Sequence, residues 1–314
     1  MSEADLPLVT IVTPSYNQAR YLGQAIESVL SQDYPRLEYI VVDGGSTDGS
    51  LPILEQYADT PKLRWLSEPD LGQADAINKG FRLASGDIFG WLNADDLYMP
   101  DAISTAVRSF MQNTEIRFVY GDALAIDEQN VSYGRRLHVH QADMDELVGT
   151  RDAIVQPAAF WKAEVWHTVG ELDTRLKYAL DYEYWMRIAS RYRLHYVPIL
   201  IAQERIYPAT KTFSASFERF DEIEAIAIEH GGRGLPHAYH AEAGATYLVE
   251  AFKALFRGRT DEARTGFTKV AHLRPGFIKL LAHFAMLAVF GRRFAAYRTL
   301  WLIRLRNRLR SRNA

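Results

Sequence analysis

The sequence predicts an α/β fold in which a mostly parallel sheet is flanked by helices and followed by a C-terminal helical region. Three observations lead there. From Leu8 to about Asp122, short apolar runs alternate with segments of helical spacing, which is the pattern of layered α/β structure. Those runs are almost continuously apolar, as strands covered on both faces are. With 314 residues, 48% of them apolar and 12% aromatic, the chain can bury one large core or two modest ones.

The elements follow in order. Residues 9–13 form a strand ended by Pro14, and 21–30 a helix whose inner face carries Leu22, Ile26, Val29 and Leu30. A second strand, 39–42, stops at the turn-rich run from Asp43 to Ser50, and a short helix follows at 51–57. A third strand covers 63–66, Gly72 opens a helix to Ala84, and a fourth strand covers 87–92. A helix over 100–111 and a strand at 118–120 complete the alternation, and 182–190 reads as a later helix. The close pair His138 and His140 reads as a half-exposed strand.

Charge divides the chain unevenly. The formal net charge is −3, yet no Asp or Glu follows Glu262 while twelve Lys and Arg do. Such a basic end suits a polyanionic surface. The absence of cysteine excludes a disulfide framework and thiolate chemistry and fits a reducing, cytoplasmic setting. The acidic N-terminal residues carry no secretory pattern.

Chemistry concentrates after the strands, where open α/β sheets bind ligands. The first such loop holds Thr13, Pro14, Tyr16 and Asn17; the second holds Asp43, Ser46 and Asp48; the third runs from Glu68 to Gln73; the fourth holds Asn93, Ala94, Asp95 and Asp96. Two adjacent carboxylates at a sheet mouth suit a hard divalent cation, Mg²⁺ or Mn²⁺, with phosphate oxygens completing its shell. The same pair also suits a helix cap. Asp75, Asn78 and Lys79 share one face near a helix N-terminus, where an anion can bind. No Walker-type loop and no G-x-G-x-x-G follows the first strand, which weighs against NTPases and dinucleotide dehydrogenases.

Taken together, Thr13-Pro14-Ser15-Tyr16-Asn17, the run from Asp43 to Ser50, the Gly72-Gln73 segment with Ala76, Asn78 and Gly80, and Leu92-Asn93-Ala94-Asp95-Asp96 resemble a family 2 glycosyltransferase of the Rossmann-like GT-A fold. The resemblance covers roughly residues 6–230. It implies a catalytic domain over 1–230 and an inverting, non-processive, metal-dependent enzyme of polysaccharide or glycoconjugate synthesis. Its donor would be a nucleoside diphosphate sugar, a UDP-sugar first of all, and its acceptor a hydroxyl of a glycan or lipid-linked molecule. By that resemblance Thr13, Pro14, Tyr16, Asn17, Asp43, Ser46, Asp48, Gly72, Gln73, Asp75, Asn78, Lys79, Asn93, Ala94 and Asp95 hold the donor. Asp95 is then the metal carboxylate, helped by Asp96. Many members have Asp-x-Asp where this chain has Asn93-Ala94-Asp95, so a neutral amide meets the ribose.

Inverting transfer needs a base opposite the leaving group. The matching stretch is Ala179 to Arg187, which makes Asp181 the base, with Glu183 as the fallback and a helix N-cap as the plain reading of Asp181. Asp122, Gln156, Trp161 and Trp185 fall to the acceptor side, and Arg205, Tyr207 and Lys211 to a loop over the diphosphate. Gln203-Glu204-Arg205-Ile206 does not match the Gln-x-x-Arg-Trp of processive synthases. Two rivals remain, a sugar nucleotidyltransferase and a degenerate membrane-binding scaffold.

Residues 231–314 read as a separate helical region. A helical hairpin is expected about Arg257-Gly258-Arg259, then an apolar run at 280–290 too short to span a bilayer. A basic aromatic helix containing Trp301 follows. Peripheral membrane contact through 277–312, on the cytoplasmic face, is expected, and no nucleic acid.

Overall fold

The structure is a computed structural model that describes residues 3–136, 138–214, 217–273 and 299–309. By contact the chain forms two compact units, one of Met1–Asp143 with Ala153–Arg205, the other of Met144–Asp152 with Ile206–Ala314. The apolar run at 280–290 lies outside the described residues.

The elements are β1 (Val9–Ser15), α1 (Ala19–Leu30), β2 (Leu37–Asp43), α2 (Ser50–Glu55), β3 (Leu63–Ser67), α3 (Gln73–Leu83), β4 (Ile88–Trp91), β5 (Leu97–Tyr98), α4 (Ala102–Gln112), β6 (Phe118–Ile126), β7 (Ser132–Arg135), α5 (Met144–Gly149), β8 (Ala159–Lys162), α6 (Ala163–Val169), α7 (Leu180–Ala189) and β9 (Leu194–Arg205). In the second unit, which also takes in α5, come α8 (Lys211–Ser214), α9 (Glu218–Glu229), α10 (His240–Phe256) and α11 (Thr260–Leu273). The expected hairpin is thus α10 and α11, and residues 299–309 are also helical.

The first unit is built on one sheet of order β3-β2-β1-β4-β8-β6-β9-β5, with β7 paired to β6. The half from β3 to β4 is all parallel, as the apolar runs predict. Beyond β4 the sheet is mixed, because β8 runs antiparallel to both β4 and β6. Two expectations end differently. The strand expected at 118–120 extends to Ile126 and bulges around Asp122, and His138 and His140 lie in a turn beyond the end of β7. There His140 Nδ1 meets the His138 carbonyl at 2.7 Å, a local bond that replaces a ladder partner.

An aromatic core fixes the helices to the sheet. Phe81 of α3 stacks on Phe89 of β4 with ring centroids 5.0 Å apart and meets Trp161 of β8 at 5.5 Å. Trp185 of α7 packs against Trp161 and against Phe118 of β6. Helix α3 also lies close to β1, because Gly80 faces Val12 with no room for a side chain between them.

Asp48 ties two helix starts together. Its carboxylate accepts the Ala19 amide of α1 at 2.9 Å and the Ser50 amide and hydroxyl of α2 at 3.1 and 2.6 Å. Burial alone would raise the Asp48 carboxyl, but the Ser50 hydroxyl and the two amides outweigh it and hold it below its ordinary range.

Two outcomes are expected. Gly80→Ala should lower the denaturant midpoint by an amount equal to up to about 2 kcal/mol net, since overpacking costs about 1–3 kcal/mol and alanine's helix preference returns about 1 kcal/mol. Asp48→Asn should be less stable than the parent at neutral pH, with the gap in melting temperature closing as the pH falls below about 4. A depressed carboxyl stabilises above its ordinary value of 3.8, and that stability is lost as pH falls through the folded value.

Candidate active site

Register brings the four strand-end loops to one rim. Ser15 pairs with Asp43 and Asp43 with Ser67, while Val12 pairs with Trp91, so β1 to β4 end side by side. The ladder continues into the loops through Gly44 N to Ser15 O, Glu68 N to Asp43 O and Leu92 N to Val12 O.

The first two loops are bonded to each other. Asn17, held at a positive φ of 52°, donates its amide to Ser46 Oγ and accepts Thr47 N on Oδ1, at 2.8 and 2.9 Å. Thr13 is buried and accepts the Tyr39 hydroxyl. Tyr16, by contrast, is 61% exposed, an aromatic face free to stack. Asp43 is fully buried and accepts the Gly45 and Ser46 amides and the Ser46 and Ser67 hydroxyls. It organises the loop from beneath. Beside it, Ser15 Oγ is a buried hydroxyl with no protein partner, an orphan of the kind a ligand can satisfy.

On the third loop, Gly72 takes φ 117° with open space where a side chain would stand, and no side chain caps the start of α3. Lys79 does not point its charge at an open anion site. It is paired with Glu68 at 2.8 Å and Asp75 at 3.6 Å, and its ammonium donates to the Pro69 carbonyl. The bond to Glu68 above all, then the charges of Asp75, Glu68 and Asp70, hold it above the usual lysine range. Asp75 accepts the Leu71 amide. Asn78 is likewise buried and clamps the backbone of Leu172 through two 2.9 Å bonds. Both residues brace the site from behind.

The fourth loop is the centre of a polar network. Asn93 Oδ1 accepts Gln73 Nε2 at 2.7 Å and Trp91 Nε1 at 2.8 Å; its Nδ2 donates to Gln156 Oε1 at 2.8 Å and to Asp96 Oδ2 at 3.3 Å. The ribose-facing amide expected from sequence is therefore occupied within the protein. Ala94 is buried, Asp95 half-buried and Asp96 buried. Burial first, then the negative charges of Asp95 and Glu204, push the Asp96 carboxyl well above its ordinary range, against the pull of the Arg205 amide and Asn93. Arg205 N donates to Asp96 Oδ1 and Arg205 Nε to the Asp95 carbonyl, each at 2.8 Å.

Among the described residues no three His, Cys, Asp or Glu converge on one point. An all-oxygen, anionic turn that offers one or two carboxylates fits a Mg²⁺ or Mn²⁺ ion whose shell is completed by substrate phosphates, with Asp95 as the residue that would hold it.

Asp181 lies in the first turn of α7, half-buried, and Ala179 rather than Asp181 is the N-cap. Its Oδ1 accepts the Tyr182 amide. Glu183 is committed elsewhere, paired to Arg187 at 2.6 and 2.8 Å. Of the acceptor-side residues, Trp161 and Trp185 are wholly buried in the aromatic core, as large flat side chains spaced to face α3 and β6 should be. Asp122 is buried between Arg135 and the Tyr196 hydroxyl, at 2.7 Å from each, and Gln156 belongs to the Asn93 network. Tyr207 and Lys211 belong to the second unit. The structural role of Arg205 is the residue-level feature that sequence reasoning missed; the signal was a charge at the end of an apolar strand.

Comparison with known proteins agrees with this architecture. Residues 10–169 match the family described as Glycosyl transferase family 2. An uncharacterized glycosyltransferase of Rickettsia typhi is 30% identical over 230 residues, covering 70% of each chain. Chondroitin synthase of Escherichia coli is 30% identical over 188 residues, 59% of this chain, which spans only 27% of that protein. Among solved structures, Staphylococcus aureus TarS 1-349 in complex with UDP-GlcNAc has a TM-score of 0.59 at 17% identity over 75% of this chain and 70% of that one. The mannosyltransferase PcManGT of Pyrobaculum calidifontis, in complex with GDP-Man and Mn²⁺, has a TM-score of 0.58 at 24% identity over 97% and 86%. These likenesses give the sheet its name, the GT-A fold, and by the sequence match the chain belongs to glycosyl transferase family 2.

Proposed function

We propose that this glycosyltransferase transfers a sugar with inversion from a nucleoside diphosphate donor, a UDP-sugar first of all, to a hydroxyl of a glycan or lipid-linked acceptor. The observation that carries the reading is the single rim on which exposed Tyr16, the uncapped start of α3 and the Asp95 turn meet. Tyr16 stacks on the base. The backbone of the Gly72-Gln73 segment faces the anionic part of the donor. Asp95 holds Mn²⁺ or Mg²⁺, which when bound neutralises the charge of the departing diphosphate. Asp181 accepts the proton of the acceptor hydroxyl as its oxygen bonds to the anomeric carbon, and the bond to the diphosphate breaks with its electron pair on the leaving oxygen. The TarS and PcManGT complexes, which hold UDP-GlcNAc and GDP-Man with Mn²⁺ respectively, support the donor class and the metal. Chondroitin synthase supports a glycan product.

Membrane contact is part of the same reading. On the helix over 299–309, Trp301, Leu305 and Leu309 are exposed and recur every four residues, so they share a face. Arg304, Arg306 and Arg308 are exposed beside them. An apolar stripe edged by arginines fits an anionic lipid surface. Among the described residues no helix is long and apolar enough to cross a membrane; the proposed contact is peripheral, on the cytoplasmic face.

Asp181→Asn should keep thermal stabilisation by UDP with Mn²⁺ and lose sugar transfer by about 10²–10⁴-fold, whereas Asp95→Ala should lose the Mn²⁺-dependent part of that stabilisation. Undiminished transfer by Asp181→Asn would remove the base assignment. The full chain should float with phosphatidylglycerol vesicles and not with phosphatidylcholine vesicles, and Trp301→Ala with Leu305→Ala should abolish flotation; equal flotation with both vesicles, or none, would remove the membrane reading.

A further inference from the structure

The hydrogen bonds of Asn93 have a direction that a carboxylate cannot reproduce. Its oxygen accepts from Gln73 and Trp91, which an aspartate could also do. Its nitrogen donates to two acceptors, Gln156 Oε1 and Asp96 Oδ2. The Gln156 oxygen cannot turn into a donor. Gln156 is fixed in orientation because its own Nε2 donates to the Trp91 carbonyl at 2.6 Å. Asp96 is fixed because its other oxygen accepts the Arg205 amide, and the Asp96 amide returns to the Asn93 carbonyl at 3.1 Å. An aspartate at 93 would therefore face the Gln156 oxygen with no hydrogen between them and bring a second carboxyl oxygen against Asp96 about as far away as the present 3.3 Å contact, in a part-buried network where an unmatched polar group is costly.

We propose that Asn93 and Asp96 form a matched amide–acid latch that closes the turn and sets the aim of Asp95 between them, with Asp96 acting as the latch partner of Asn93 and not as a ligand in its own right. The latch explains why the amide stands where an acid would restore the Asp-x-Asp pattern: in this chain the added acid removes two donors and places three carboxylates within four residues. Asn93 is a positioning residue. The inference rests on the reading of Asp95 as the metal carboxylate.

The test uses three variants of the full chain, Asn93→Asp, Asp96→Asn and the two together, with the melting temperature read alone and with UDP or GDP across a Mn²⁺ titration. Asn93→Asp should lower the melting temperature and raise the Mn²⁺ concentration for half-maximal stabilisation by about tenfold or more, the scale on which groups behind a metal ligand act. The double variant exchanges donor and acceptor across the same contact. It should recover part of the melting temperature and of the Mn²⁺ response, since the contact with Gln156 stays unmatched. A parental or improved response in Asn93→Asp overturns the latch, and so does a double variant no better than Asn93→Asp. Should Asn93→Asp fail to fold, folding of the double variant supports the latch and its failure overturns it. If stabilisation of the parent does not depend on Mn²⁺, the metal reading falls instead, while the melting temperatures without ligand still decide whether 93 and 96 are coupled.

Discussion

A buried guanidinium is the constraint on which the rim depends. Arg205 is 3% exposed and ends β9, and moving such a charge out of water costs several kcal/mol unless it is well bonded. Here Nε reaches the Asp95 carbonyl, Nη1 the Asp127 carbonyl and Asn130 Oδ1, and Nη2 Gln24 Oε1, while the group lies 4.5 Å from the centre of the Tyr21 ring. These bonds end on three different elements. The fourth strand-end loop, the turn between β6 and β7 and the helix α1 are all referenced to one side chain, so none can shift without leaving a buried donor unmet. The same residue's backbone seats Asp96, and the Asp95–Asp96 turn is thereby tied to the far half of the sheet.

The polar groups behind the rim obey one rule: they are spent on the protein so that others remain for a ligand. Asp43 accepts four bonds, Asn93 makes four, and Lys79 is held between two acids and a carbonyl. None of these is in a position to reorganise when a donor arrives. Preorganised dipoles of this sort act on a transition state at no reorganisation cost, and in the proposed reading exposed Tyr16 and the open space at Gly72 are left to meet the donor.

The parts legible in the sequence were those governed by local pattern. Strands at 9–13, 39–42, 63–66 and 87–92 show as apolar runs, and the loops that follow them show as clusters of Asp, Asn and Gly, because a buried parallel strand and a strand-end turn each have one-dimensional signatures. The division of labour among the loop residues was not legible. Asn78, Lys79 and Asn93 belong to motifs that meet a donor by resemblance, but their bonds are to Leu172, Glu68 and Gln156; the first and last of these partners lie 94 and 63 residues away. Spacing cannot report such a partner. Trp161 and Trp185 show the same limit from the apolar side, since an aromatic that lines a pocket and one that fills a core look alike in sequence.

The proposed choice of Asp181 over Glu183 as the base draws on this bracing. Arg187 neutralises Glu183 with two bonds and spends its remaining nitrogen on the carbonyl of Val169, while the same guanidinium also reaches the carbonyl of Glu171. Glu183 is thus a structural anchor for the segment that enters α7. On the other side of that segment, Asn78 holds Leu172 and Arg82 pairs with Glu171. Both grips come from α3, whose first residue, Gln73, bonds to Asn93. Asn78 lies five residues along that helix from Gln73, roughly 7.5 Å at 1.5 Å per residue. One short helix therefore indexes the donor-side turn and the approach to α7 to the same axis. A base must sit within hydrogen-bond reach of the attacking hydroxyl, and an error near 1 Å costs about two orders of magnitude in rate. Of the two carboxylates on α7, Glu183 is the one held by Arg187, which is what favours Asp181 in the proposed role.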